Sequence, residues 1–107
     1  MAQWLKLMIG GGVFDGKRLV TEKNFNELLT PQITVRENAD YGLGWGLVRW
    51  HKRKLVTHSG GTDGFSSLVE LMPEQRLGFV FLSNVPESKL LKDIRSIIWG
   101  NLLDIRS

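Results

Sequence analysis

Along Tyr41-Gly42-Leu43-Gly44-Trp45-Gly46-Leu47, bulky side chains alternate with glycine. Period two is the spacing of a strand, where successive side chains point to opposite faces. Three glycines on one face leave that face bare, which predicts that another part of the chain approaches the backbone there. A helix would scatter the same residues around its whole circumference, so residues 41–47 are expected to form a strand.

The segments on either side set the fold class. Trp4, Leu5, Met8 and Ile9 recur at helical spacing over residues 2–9, and Gly10-Gly11-Gly12 ends that turn. Asp15-Gly16 is a turn signal. Thr21 can cap a second helix, with Glu22 in its first turn and Phe25, Leu28 and Leu29 on one face. Pro31 stops it near Thr30, and the polar residues 31–40 read as a loop. Beyond the glycine alternation, Lys54–Ser59 reads as the return strand of a hairpin. Phe65–Met72 and Leu77–Ser83 are two more strands, joined by Pro73-Glu74-Gln75-Arg76. Leu90, Leu91, Ile94, Ile97, Ile98 and Leu102 trace an apolar stripe on a closing helix. The expectation is a single α+β domain over 1–107: an antiparallel sheet of about four strands, flanked by N-terminal helices and a C-terminal helix.

Composition narrows the function. With no cysteine among 107 residues, a disulfide scaffold, a thiolate zinc site and a cysteine nucleophile are excluded. No apolar run reaches the ~18–20 residues of a membrane span. Met1–Ile9 is interrupted by Lys6 and runs into glycines, which is not the pattern of a signal peptide. The net charge of +3 comes from one cluster, Arg49, Lys52, Arg53 and Lys54, so no chain-wide nucleic-acid surface is indicated.

Four stretches carry possible chemistry. Gly11–Lys17 matches the G-x-x-x-x-G-K part of a phosphate loop, but Arg18 stands where Ser or Thr should hold magnesium. A helix precedes it where the motif needs a strand, so it reads as a glycine-rich connection. Arg49-Trp50-His51-Lys52-Arg53-Lys54 mixes cations with an aromatic, as single-strand nucleic-acid binders do. The favoured reading is a solvated hairpin tip whose charges discourage edge pairing. His51 and His58 are too few and too poorly supported for a metal cluster.

The fourth stretch, His58-Ser59-Gly60-Gly61-Thr62-Asp63-Gly64-Phe65-Ser66, falls at the end of a strand. Glycines there let a substrate reach the main chain, and exposed N–H groups can stabilise an oxyanion. The alternative is an ordinary turn with Asp63-Gly64 making the bend. His58 and Ser59 are strand neighbours on opposite faces, so they do not form a nucleophile–base pair. No G-x-S-x-G elbow exists, since Leu68 follows Ser67.

At this point the chain resembles the C-terminal part of the serine β-lactamase-like family, which includes class C β-lactamases, D,D-peptidases, D-aminopeptidases and esterases. Ala2-Gln3-Trp4-Leu5 resembles a helix start of that family. Asp15–Val20 with Thr21-Glu22 is similar to its turn into the next helix, and Thr30-Pro31-Gln32 to that helix's end. Tyr41–Gly46 resembles its glycine-rich strand, and His58–Ser67 its third catalytic motif and the continuation of that motif. Met72-Pro73-Glu74 and Leu82-Ser83-Asn84 are similar to its last hairpin and exit.

The resemblance implies a partial β-lactamase/transpeptidase-like fold and acyl transfer through a serine. His58-Ser59-Gly60 would take the K-T-G position. His58 would then bring positive or proton-donating character, and the Gly61 N–H would be one oxyanion donor. Ser59, with Gly60 and Thr62, would line the wall that binds an acyl, peptide or β-lactam-like substrate. No cofactor or metal is implied.

No S-x-x-K and no Tyr-x-Asn occur in the chain. In the family those motifs lie upstream, so Met1 is read as an internal methionine of a longer parent or the start of a truncated frame. The expected partner is the missing N-terminal catalytic portion, or a second copy of the chain. For compartment, the resemblance suggests bacterial periplasm or secretion.

Overall fold

The computed structural model describes residues 1–84 and 88–103, with side chains left undescribed at 62 and 88–92. Helix α1 (Ala2–Ile9) buries Leu5 and Met8 and is closed by the Gly10 N–H on the Lys6 carbonyl. The glycine run then leads into a two-stranded hairpin, β1 (Val13–Phe14) and β2 (Lys17–Arg18). Its turn residues Asp15 and Gly16 both have positive φ, 53° and 75°, the backbone that suits a tight right-twisted hairpin. In α2 (Glu22–Leu28) the hydroxyl of Thr21 accepts the Asn24 N–H at 3.2 Å, satisfying one of the orphan donors of the first turn.

Six strands follow in chain order: β3 (Ile33–Arg36), β4 (Ala39–Tyr41), β5 (Gly46–Trp50), β6 (Arg53–Thr62), β7 (Phe65–Met72) and β8 (Leu77–Ser83). Each is hydrogen-bonded to the next, and β3 to β6 pair antiparallel. Helix α3 (Ser88–Leu102) closes the described chain. The α+β antiparallel architecture is therefore the one the sequence predicts.

Two details differ. Residues 31–40 were expected as a loop, yet they hold β3 and β4, which raises the sheet from about four strands to six. Every β3 side chain is exposed, so no buried face marks the strand in the sequence; ladder bonds alone define it. The alternation at 41–47 is also not one strand. Tyr41 ends β4, the Gly42 N–H donates to the Trp45 carbonyl at 2.8 Å, and Gly46 begins β5.

The chain forms two compact units. Met1–His58 with Val69–Val80 make the first, and Ser59–Leu68 with Phe81–Ser107 the second. In the first, Leu5 and Met8 of α1, Phe25 of α2 and Leu29 just past its end gather with Trp45, Leu47, Val56 and Leu71 as one apolar core. Burying each of the larger side chains contributes roughly 1.5–3 kcal/mol. In the second, Trp99 of α3 is fully buried and Leu68 nearly so. The predicted stripe on α3 is corrected here: Ile97 and Leu102 are exposed, and Trp99 is the core residue. Leu90 and Leu91 lie outside the described side chains.

Candidate functional site

Strand β6 is ten residues long, but β5 pairs only with its first half. The last register pair is Gly46 with Thr57. Thr57 is held on both sides. Its hydroxyl donates to a Glu70 carboxyl oxygen at 2.8 Å. Its methyl would sit 3.2 Å from a Cβ at Gly46, which explains the glycine there. Glu70 itself is fully buried.

Past that anchor, His58, Ser59, Gly60 and Gly61 run on along β6 with no β5 partner opposite, and all four are exposed. Strand alternation puts His58 and Gly60 toward one face and Ser59 and Gly61 toward the other. Thr62 ends the strand, with its side chain outside the described set. The bend at Asp63-Gly64 is present as well, Gly64 having φ 79°. Both features read from the sequence therefore coexist: a turn, and an exposed glycine-bearing strand leading into it.

The two motif glycines differ. A Cβ on Gly60 would lie 3.0 Å from Ser67 Oγ, whereas one on Gly61 would meet only the Phe65 carbonyl at 3.8 Å. The Ser67 hydroxyl also donates a long bond, 3.5 Å, to the Gly60 carbonyl. Within this unit a cavity of about 370 Å³ is lined by Gly60, Gly61, Phe65, Ser66, Ser67, Leu82 and Ser83. Ser66 is buried, while Phe65 and Leu82 are exposed at 59% and 72%. In the sequence Ser67 reads as part of the motif's continuation and Leu82-Ser83 as a hairpin exit, but none of the three is assigned to the site there. A two-residue turn at Asp63-Gly64 carries the signal for Ser67, because it sets Gly60 across from it.

The phosphate-loop look-alike and the basic cluster fall where the sequence suggests. The phosphate-loop look-alike is a packed connection. The Gly12 carbonyl accepts the N–H groups of Leu19 and Val20, and the Arg18 guanidinium donates to the carbonyls of Gly11 and Val20. The basic residues cap the β5–β6 hairpin, where Trp50 and His51 rings meet edge to face at 4.2 Å. Among the described residues no group of three or more His, Asp or Glu could hold a metal ion, and no helix is long and apolar enough to cross a membrane.

Penicillin-binding protein 4* of Bacillus subtilis (strain 168) is 33% identical over 75 residues, covering 64% of this chain and 17% of that protein. Two solved structures share the fold. The octameric penicillin-binding protein homologue from Pyrococcus abyssi matches with TM-score 0.71 and 24% identity over 91% of this chain. The penicillin-binding protein from Bacillus halodurans matches with TM-score 0.68 and 18% identity over 88%. The chain spans only 23% and 28% of those two structures' lengths. Residues 1–98 match the family model described as Beta-lactamase, and the chain belongs to that family.

Proposed function

We propose that residues 1–107 are the C-terminal segment of a β-lactamase-like serine hydrolase and supply one wall of its acyl-transfer site. The observation that carries this reading is the run of β6 that continues past the end of its pairing with β5. His58–Gly61 continue beyond Gly46–Thr57 and are exposed, and their sequence resembles the family's third motif. Main-chain groups there can accept an extended acyl or peptide substrate.

In this reading the Gly61 N–H helps stabilise the oxyanion of the tetrahedral intermediate, a contribution of about 3–4 kcal/mol for such a donor. His58 handles a proton near the attacking serine. Ser59, Gly60 and Thr62 hold the substrate's carboxylate or carbonyl. The serine and its lysine, in S-x-x-K, belong to another part of the enzyme, because this chain has neither that motif nor Tyr-x-Asn.

The test is hydrolysis of a chromogenic cephalosporin and a nitrophenyl ester. The chain alone is expected to turn over neither. Adding a polypeptide that carries S-x-x-K and Y-x-N should restore hydrolysis, and His58→Ala should lower it. Turnover by the isolated chain that disappears in Ser59→Ala would instead make Ser59 the nucleophile and overturn the assignment.

A second reading is a self-associating module without catalysis. The exposure of Phe65 and Leu82 beside one cavity favours it, as does the octameric state of the Pyrococcus abyssi homologue.

A further inference from the structure

A second cavity, of about 420 Å³, lies in the first unit at the root of the basic hairpin. The β5–β6 register sets Arg49 directly across from Lys54, and both line this cavity. Like charges facing each other across an antiparallel pair repel. Among the described residues neither side chain has an ion-pair or hydrogen-bond partner. The fold thus keeps two unneutralised cations side by side at a concave surface. Leu29, Pro31 and Leu47 give the same cavity an apolar lining, and Asp40, across from Leu47, adds a single carboxyl group. Two cations against one acid leave the cavity positive, and its size is within the range of small-molecule sites.

We propose that this cavity binds a small organic anion, a carboxylate carried on an apolar body, with Arg49 and Lys54 as its charge partners. An anion between the two cations converts their repulsion into two charge-assisted contacts. The apolar body covers the exposed ring of Pro31, beside the buried side chains of Leu29 and Leu47. The site is independent of the acyl-transfer reading, since Lys54 and His58–Gly61 lie toward opposite ends of β6.

The experiment is a titration of the 107-residue chain with 4-phenylbutyrate, followed by backbone amide spectra. Two further probes separate the contributions: 4-phenylbutan-1-ol has the body without the charge, and inorganic phosphate has charge without the body. Saturable shifts are expected at amides of residues 38–40, 47–49 and 54, with both other probes binding more weakly. Arg49→Gln with Lys54→Gln should weaken phenylbutyrate about tenfold or more, and Asp40→Asn should tighten it. Amide dispersion of each variant, compared with the parent, verifies that it is folded. Absence of shifts at these amides would overturn the proposal. So would equal affinity for the alcohol or for phosphate, or indifference of affinity to all three substitutions.

Discussion

Thr57 donates its hydroxyl hydrogen to a carboxyl oxygen of Glu70 across 2.8 Å, and Glu70 has no exposed surface. The bond ties β6 to β7 at the residue before His58, where β5 pairing ends. A buried carboxyl group is costly without partners, so this donor matters more than a surface hydroxyl would. Thr57→Val keeps the shape and removes the donor. It is expected to destabilise the fold by about 1.5–3 kcal/mol, read as a lower urea midpoint with unchanged slope. Thr57→Ser keeps the bond and loses only the methyl beside Gly46, so it should cost less. A Val variant as stable as the parent would show that the bond contributes nothing.

Gly42 and Gly44 look equivalent in the sequence but answer to different constraints. A Cβ on Gly42 would lie 2.3 Å from the Leu28 carbonyl oxygen, the same oxygen that accepts the Leu43 N–H at 3.0 Å. Gly42→Ala must push α2 away from this link, and roughly 3 kcal/mol or more of destabilisation is expected. Gly44 has φ 83° and nothing within 4 Å of its would-be Cβ. Gly44→Ala therefore meets only left-handed backbone strain, about 1–2 kcal/mol. Denaturation of both variants checks the ranking, and equal costs would refute the distinction.

These glycines also show what a sequence can and cannot reveal. The bare face read from residues 41–47 correctly implies close approach at Gly42 and Gly46, yet no strand runs through Gly44. Period-two spacing records side chains and not backbone φ, so a four-residue link between two strands can imitate one strand. The reverse holds for β3, a true strand whose exposed Ile33 and Val35 leave no burial pattern. On α3 the spacing rule ranked Ile97 and Leu102 above Trp99, because a 3.6-residue stripe does not say which neighbour is filled. In the candidate site, the glycines announce the exposed His58–Gly61 run. Ser67 and Leu82 join it only through strand register, a long-range property that local spacing does not fix.

The tip of the β5–β6 hairpin stores backbone strain. His51 and Lys52 form its two-residue turn with φ 48° and 64°, positions that favour Asn and Gly. Replacing them together, His51→Asn with Lys52→Gly, is expected to stabilise the chain by about 1–2 kcal/mol. For a domain of this size each kcal/mol raises Tm by roughly 4–8 °C. A thermal melt that shows no rise would mean that the Trp50–His51 ring contact compensates the strain.

Phe65 and Leu82, 59% and 72% exposed, border the cavity beside Gly60 and Gly61. Burying such a side chain is worth roughly 1.5–3 kcal/mol. A two-fold contact would bury each of them twice, since the same patch meets itself. Replacing both with serine should therefore weaken self-association by roughly a hundredfold or more. Light scattering over a concentration series is the measurement. The parent chain is expected to exceed the monomer mass and to lose that excess in Phe65→Ser with Leu82→Ser. A parent that stays monomeric at every concentration would remove the self-associating reading. The serine hydrolase reading would then stand alone, because it needs the rest of the enzyme and no second copy of this segment.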